Sequence, residues 1–184
     1  MRTLQDHFLI AMPAMGDPNF NETVTYVCQH DDQGALGVII NRPSDLSLGE
    51  VFEQLSLDVL DRSQESMPVL LGGPVERERG FVLHRAPQSY ATTLKHGAEI
   101  RVTMSPDVLI ALARGEGPAP VLVALGYAGW GAGQLEAELR ANAWLTVPAN
   151  PGIVFDTPIE QRWSAALGLP GVDIHAITNY AGHA

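Results

Sequence analysis

The sequence predicts a single α/β domain. Short segments with the alternating or fully apolar pattern of β-strands recur along the chain, and helix-start signals fall between them. The 184 residues, of which 46% are hydrophobic, are enough to bury a core without disulfide bonds. Because no repeat, low-complexity tract or linker divides the chain, we expect one domain over residues 1–184.

The first predicted elements are a strand and a β-hairpin. The run F-L-I-A-M at residues 8–12 follows Q-D-H rather than a positively charged segment, which favours a strand over a signal peptide. T-V-T-Y-V-C-Q-H, from residue 23, has a strand pattern, D-D-Q-G has turn composition, and A-L-G-V-I-I-N-R-P resumes the apolar pattern. Because Pro43 cannot donate to a strand ladder, the second strand should end near Asn41 and Arg42.

A helix is predicted to begin after Ser47. Ser47 and Glu50 have the spacing of a capping box, in which each side chain accepts a hydrogen bond from the other residue's backbone amide. The apolar positions that follow have helical spacing and should form the buried face: Leu48, Val51, Phe52 and Leu55.

A second hairpin is predicted from P-V-L-L-G-G-P-V, a charged turn E-R-E-R-G and F-V-L-H-R, at residues 68–85. Gly72 and Gly73 interrupt its first strand, which indicates a bulge or the close approach of other backbone or of a ligand. With Arg77, Arg79 and Arg85 nearby, this is the most favourable place for an anion. The alternative is a hairpin bulge with a solvated charged turn.

Later elements follow from similar signals. Residues 100–103 have strand character, and S-P-D at residues 105–107 combines an N-cap, a first-turn proline and an acid for a helix that R-G should end at 114–115. A last helix is predicted from the capping box T-P-I-E at 157–160 to L-G at 167–168.

The stretch G-Y-A-G-W-G-A-G-Q-L-E, from residue 126, is a candidate ligand site. We expect it to form a loop between a buried strand, P-V-L-V-A-L, and a helix that begins near residues 133–134. Such a loop can aim backbone amides at a phosphate. Its spacing fits neither G-x-G-x-x-G nor a P-loop, and Glu136 and Glu138 would oppose an anion. The alternative is a tight backbone crossing in which Trp130 fills a core gap.

Asn142 follows in the same segment. At helical spacing it falls on the same face as Leu135 and Leu139, and a buried polar group requires a hydrogen-bond partner. We therefore expect Asn142 either to tie the helix to neighbouring backbone or to line a pocket.

Cys28 and His30 lie two apart on a predicted strand, so they should share a face, and an imidazole can activate a thiol. The alternative role for Cys28 is that of a small buried hydrophobic residue. His30, Asp31 and Asp32 could be metal ligands, but the two aspartates are expected in the turn for backbone reasons, and the other histidines lack the spacing of a metal site. We expect no metal and no cofactor.

Charge and cysteine content limit the partners. The net charge is −10, and a single lysine and ten arginines are scattered among acidic residues. Nucleic acids and anionic membranes bind clustered cations, so we expect neither to be a direct partner. One cysteine rules out an internal disulfide and fits a reducing cytoplasm.

Blocks along nearly the whole chain carry a family resemblance. They include H-F-L-I-A-M-P-A-M, Y-V-C-Q-H, G-A-L-G-V-I-I-N-R-P, L-L-G-G-P-V, R-G-F-V-L-H, V-A-L-G-Y-A-G-W, G-Q-L-E-A-E-L, N-A-W-L-T-V-P-A, T-P-I-E-Q-R-W and A-G-H-A. In this order they resemble the YqgE/AlgH family of bacterial proteins, also called UPF0301. The resemblance implies a single α/β domain whose mixed, partly bifurcated sheet is curled into a pseudo-barrel with flanking helices.

The resemblance also bears on function. The family pattern G-Y-A-x-W-x-x-G-Q-L-E makes Gly129 and Gly131 additions in this chain, which disfavours a phosphate loop. The name AlgH implies a proposed role as a transcriptional regulator of alginate production, and the family supplies no catalytic residues. Because this chain lacks a basic patch and a helix-turn-helix, an effect on transcription should be indirect.

The sequence therefore predicts a cytoplasmic binding or regulatory module for an unknown small molecule or protein partner. The predicted ligand-binding residues are Asn41, Arg42, Gly72, Gly73, Trp130 and Asn142. One alternative is an enzyme that uses Cys28 and His30, and another is a direct DNA-binding regulator.

Overall fold

A branched β-sheet with helices packed on its faces forms the described part of the chain, which is residues 3–85, 87–94 and 99–172 of a computed structural model. The strands are β1 (His7–Ala11), β2 (Val24–Asp31), β3 (Gly34–Ile39), β4 (Pro43–Ser47), β5 (Pro68–Leu71), β6 (Val75–Arg85), β7 (Thr93–Leu94), β8 (Ile100–Thr103), β9 (Val121–Gly131) and β10 (Trp144–Pro148). The helices are α1 (Leu48–Gln54), α2 (Asp107–Ala113), α3 (Gln134–Arg140), α4 (Pro151–Phe155) and α5 (Arg162–Leu167), with a 3₁₀ turn at Ile159–Gln161.

The sheet branches at β9. Its main path runs β10-β1-β2-β3-β9-β6-β8-β7 with antiparallel neighbours, and β4 and β5 form a side branch. One edge of β9 pairs in parallel with β5 at Ala124 and Leu125, and then pairs with β3 from Ala128 to Gly131. The mixed, bifurcated sheet of an α/β domain is thus confirmed, and it curls into a half-barrel.

The chain crosses β9 at the branch point. Strand β5 lies on one edge of Leu125 and β6 on the other, so residues 72–74 must pass over β9. Glycines make this possible: a Cβ at Gly72 would lie 2.3 Å from the Gly126 carbonyl oxygen, and one at Gly73 would lie 2.1 Å from the Tyr127 carbonyl carbon. The prediction that these glycines mark a close approach of backbone is confirmed.

The prediction of a second hairpin is wrong. Within the described residues β5 pairs with β4 and β9, and β6 pairs with β8 and β9. The charged residues 76–79 form a bulge inside β6, between the pairs Val75–Tyr127 and Gly80–Leu125, rather than a turn. The bulge lies opposite Gly126, where β9 itself adopts a positive φ of 78°.

Three apolar clusters pack against the sheet. The largest, with Phe8, Tyr26 and Phe81 among its members, lies on the face covered by α4 and α5. The second packs α1 and α2 against the other face of β6 and β9, and the third packs α3 against β1, β2 and β10. Strand β9 contributes to all three, which makes it the centre of the fold.

Helix starts were predicted with mixed success. The capping box is confirmed, since the Ser47 hydroxyl accepts from the Glu50 amide and the Glu50 carboxylate accepts from the Ser47 amide. Helix α1 ends at Gln54, however, so Leu55 lies past its end and is 50% exposed. The expectation that Leu55 belongs to the buried face is wrong.

Two other predicted caps are also wrong. The Ser105 hydroxyl donates to the Asp107 carboxylate and accepts from the Thr92 amide, so it ties α2 to a neighbouring loop. The Thr157 hydroxyl donates to the Gly152 carbonyl instead of capping a helix. The predicted ends are confirmed, since α2 stops before Arg114 and α5 stops before Gly168.

Candidate functional site

Cys28 and His30 face opposite sides of β2. The register between β2 and β3 shifts between Val27 and Gln29, which makes Cys28 a bulge residue. Cys28 belongs to the largest core cluster, whereas His30 pairs with Ala35, which packs in the cluster under α3. The expectation that the two side chains share a face is therefore wrong, because a bulge reverses the alternation of a strand.

Both residues have structural contacts. Cys28 is 3% exposed, and burial raises the pKa of its thiol far above the ordinary value. His30 Nδ1 accepts from the Leu4 amide at 2.9 Å, so the proton lies on Nε2, which donates to Glu136 at 2.9 Å. The imidazole thereby ties the N-terminal segment to α3, on the opposite side of the strand from the Cys28 thiol.

We expect iodoacetamide to alkylate Cys28 in the native protein at least about a hundredfold more slowly than a free thiol. The thiolate is disfavoured by burial, and the reagent must wait for local opening. The rate in urea-unfolded protein is the control and should approach that of a model thiol. Fast alkylation of the native protein would contradict the buried position of Cys28 and would favour the enzyme alternative.

Asn41 and Arg42 hold the loop before β2. The Asn41 side chain accepts from the Val24 amide at 2.9 Å and donates to the Glu22 carbonyl at 2.8 Å. The Arg42 guanidinium donates to three loop carbonyls, those of Pro18, Asn19 and Asn21, at 2.7 to 2.9 Å. These contacts satisfy buried or turn backbone groups, and they occupy much of the hydrogen-bonding capacity that a ligand would use.

Arg42 and Gly73 line one small cleft. It holds about 100 Å³ and also contains Arg77, so the structure brings together two of the predicted ligand-binding residues and one of the arginines predicted to face an anion. Gly72 is buried under the branch point and does not line it. An anion at this cleft stays a prediction.

Trp130 lies elsewhere, inside β9. The glycine-rich stretch is strand up to Gly131, so the expected loop between strand and helix is reduced to residues 132–133. Trp130 is 6% exposed and donates through its indole nitrogen to Glu138, which also accepts from Trp144. The expectation that Trp130 fills the core is confirmed. One edge of it also lines an open cleft of about 450 Å³ with Tyr127.

Asn142 ends helix α3 and is exposed. Its φ is 56°, its amide donates to the Leu139 carbonyl, and the Ala143 amide donates to the Glu138 carbonyl. This is a Schellman motif, in which asparagine is one of the few side chains that tolerate the left-handed conformation. The expectation that Asn142 lies on the buried face of the helix is wrong, because the helix ends two residues earlier.

The predicted ligand-binding residues therefore do not form one pocket. Asn41 and Arg42 anchor a loop, Gly72 and Gly73 form the strand crossing, Trp130 lies in the core and Asn142 caps a helix. A ligand role for any of them stays a prediction.

A larger and mainly apolar cleft has no counterpart among the sequence predictions. It holds about 600 Å³ and lies between α1, the start of α2 and the sheet; we call it the α1–α2 cleft. Its lining residues are Leu46, Val51, Gln54, Leu55, Arg77, Glu78, Gly80, Val82, Thr103, Met104, Ser105, Pro106, Leu109, Val123 and Leu125. Its size and composition are those of small-molecule sites in proteins.

Gly80 forms part of the floor of this cleft. Its neighbour Val82 packs in the cluster under α1 and α2, so position 80 faces the same side of β6. A Cβ at Gly80 would meet no atom within 4 Å, and the backbone there does not have the positive φ that favours glycine. Neither a close approach nor a turn requires this glycine, and its absent side chain leaves the cleft open.

The polar atoms of the floor are already paired. Thr103 Oγ1 bonds with His84 Nε2 at 2.9 Å and with Thr93 Oγ1 at 2.8 Å. Burial lowers the pKa of His84, so the neutral imidazole is favoured, with Nδ1 donating to the Arg85 carbonyl. The cleft therefore offers a ligand an apolar floor, with its charged groups confined to Arg77 and Glu78.

Two classes of site are absent from the described residues. No group of three or more His, Cys, Asp or Glu side chains there is placed to hold a metal ion, and His96, His175 and His183 lie outside these residues. Among the described helices, none is long and apolar enough to cross a membrane.

Comparison with known proteins places these features in a family. A family model described as AlgH-like matches residues 8–175. A UPF0301 protein of Pseudomonas paraeruginosa is 56% identical over 98% of this chain and 96% of its own, and one of Nitrosococcus oceani is 51% identical over the same shares.

Solved structures agree with this assignment. The solution structure of the AlgH protein from Pseudomonas aeruginosa has a TM-score of 0.79 and 53% identity, with both chains fully covered. A crystal structure of a Corynebacterium diphtheriae protein shares the fold, with a TM-score of 0.74 and 18% identity over 93% of this chain and 90% of its own. The branched half-barrel is thus the fold of these relatives, and the chain belongs to the AlgH-like, UPF0301 family.

Proposed function

We propose that this protein is a cytosolic binding module that takes a small, largely apolar ligand into the α1–α2 cleft. Any regulatory effect on transcription is indirect and follows from occupancy of the cleft or from a protein partner that senses it. The observation that carries the proposal is Gly80, whose missing side chain keeps an apolar cleft of about 600 Å³ open.

A glycine inside a strand normally costs stability, because it loses more conformational entropy on folding than other residues and has no side chain to pack. Natural proteins accept such costs where a site requires them. At Gly80 neither a positive φ nor a close approach of other atoms requires glycine. Space for a ligand supplies a reason for it.

The enzyme alternative is less well supported. Its nucleophile, Cys28, is buried with a raised thiol pKa, and its base, His30, is held by Leu4 and Glu136 on the other side of the strand. Catalytic thiols require a base within hydrogen-bond reach. The DNA-binding alternative would require a cationic surface, which a chain of net charge −10 with scattered arginines does not favour.

Native mass spectrometry of protein purified gently from the cells that express it tests the proposal. We expect a co-purifying small molecule on the wild-type protein and its loss from Gly80→Leu, because a leucine side chain would fill the cleft. Gly131→Leu is the matched control: it also lies in a strand, and the nearest atom to its Cβ would be 3.9 Å away. A bare polypeptide mass for the wild type, or a ligand retained by Gly80→Leu, would contradict the proposal.

A further inference from the structure

Of the charged residues beside the α1–α2 cleft, some form an ion pair and others do not. Four charged residues form the bulge at 76–79, and two of them pair with each other, since Arg79 bonds with Glu76 at 3.0 Å. Arg79 also lies over the rings of Phe81 and Tyr127, on the opposite side of β6 from the cleft. Its charge is therefore used within the fold.

Arg77 and Glu78 differ from this pair. Both are exposed and line the cleft, and neither side chain makes a hydrogen bond or an ion pair with a described residue. The lining of the cleft thus includes one cation and one anion without a partner among the described residues, together with a mainly apolar surface.

This combination restricts the head group of a ligand. A carboxylate would pair with Arg77 but would lie near the like charge of Glu78, and an ammonium would pair with Glu78 but would lie near Arg77. A head group with both charges pairs with both residues. The apolar floor in turn requires an apolar body, because the floor hydroxyl of Thr103 is already bonded to His84 and Thr93.

The size of the apolar surface favours a small molecule over a protein. Of the exposed large hydrophobic residues, Leu55 lines the cleft, whereas Leu60, Leu71, Val75 and Ile110 do not. A stable protein interface buries about 800 Å² on each partner. A cleft of about 600 Å³ instead matches the 300–1,000 Å³ range typical of small-molecule sites.

We infer that the α1–α2 cleft binds a small zwitterion with an apolar body, of the class of the free apolar amino acids. The apolar side chain lies on the floor at Gly80 and Val82, the carboxylate pairs with Arg77, and the ammonium pairs with Glu78. This inference rests on the proposed function, whose cleft it uses.

NMR titration with three probes tests it. The probes are L-phenylalanine, 3-phenylpropionate, which lacks the ammonium, and 2-phenylethylamine, which lacks the carboxylate. We expect L-phenylalanine to shift the backbone amides of Gly80, Val82 and Val123. Each analogue should bind at least about tenfold more weakly, because a hydrogen bond to a charged group is lost.

Variants of Arg77 and Glu78 test which charged group of the ligand each residue binds. Arg77→Gln should weaken the binding of L-phenylalanine but not that of 2-phenylethylamine. Glu78→Gln should weaken the binding of L-phenylalanine but not that of 3-phenylpropionate. Gly80→Leu should abolish the shifts of all three probes. Arg114→Gln removes an exposed arginine that does not line the cleft and should leave every affinity unchanged.

The two experiments distinguish a failure of the zwitterion inference from a failure of the proposed function. Equal affinity for the three probes, with loss in Gly80→Leu, would overturn the zwitterion and leave the binding cleft intact. If no probe shifts the cleft amides, the zwitterion is overturned, and a Gly80-sensitive ligand in native mass spectrometry would still uphold the proposed function. A negative result in both experiments would overturn both.

Discussion

Gly126→Ala is expected to lower the free energy of unfolding by about 3 kcal/mol or more. The φ of Gly126 is 78°, and an added Cβ would lie 2.4 Å from the Gly73 carbonyl oxygen, where the chain crosses β9. The alanine would be strained by its own backbone and would push the crossing segment away. Urea denaturation followed by circular dichroism measures the change.

Gly131→Ala provides the control for this substitution. It lies on the same strand, has no positive φ, and its Cβ would have no atom closer than 3.9 Å. Its unfolding free energy should stay within about 1 kcal/mol of the wild type, since replacing glycine at a compatible site is neutral or slightly stabilising. Equal effects of the two substitutions would show that the crossing is not held as tightly as described.

Arg162→Met is expected to cost about 3 kcal/mol of stability, because it leaves two carbonyl groups without a partner. Arg162 lies on α5 and is 8% exposed, and its guanidinium donates to the carbonyls of Ile40 and Thr157. Burial lowers the pKa of its guanidinium to about 10, so it remains charged at neutral pH. Methionine keeps much of the volume and none of the donors.

Arg114→Met is the matched control, because Arg114 is exposed at the end of α2. We expect its unfolding free energy to change by less than about 0.5 kcal/mol. Denaturant unfolding of both variants gives the comparison. A small effect of Arg162→Met would mean that water or another donor serves those carbonyls, and that α5 is not fixed to the sheet through this side chain.

Local signals predicted local structure. The hairpin of β2 and β3 and the capping box at Ser47 depend on residues close in sequence, whose hydrogen bonds close over a few positions. Helix α4 was missed although Asn150 caps it and Pro151 follows, which is also a local signal. With only five residues, helix α4 is too short for its apolar residues to show a helical periodicity.

Strand partners were not predictable in the same way. The glycines at 72 and 73 indicated a close approach, but nothing local shows that the approaching backbone is that of Gly126 and Tyr127. The charged residues 76–79 have turn composition because they are exposed, and a bulge is exposed as well. The pairing of β5 and β6 with opposite edges of β9 is determined by tertiary packing and not by local sequence.

Bulges also explain the errors at the candidate site. One extra residue at Cys28 moves His30 to the other face of β2, so spacing alone gave the wrong geometry. The charged turn predicted at residues 76–80 includes Gly80, and nothing in that pattern indicates that Gly80 lies on the floor of a cleft. That floor becomes visible only when α1 and α2 are placed over β6 and β9.

The unfolding free energy of ligand-free Gly80→Leu tests the open cleft most directly. If position 80 faces empty apolar space, leucine removes a strand glycine and buries apolar surface, so stability should rise by about 1 kcal/mol and the Tm by about 3 °C. If the space is filled in solution, leucine would overpack it and stability would fall by about 1 kcal/mol or more. A gain in stability together with loss of the bound ligand is the result that this account predicts, and a loss of stability would contradict it.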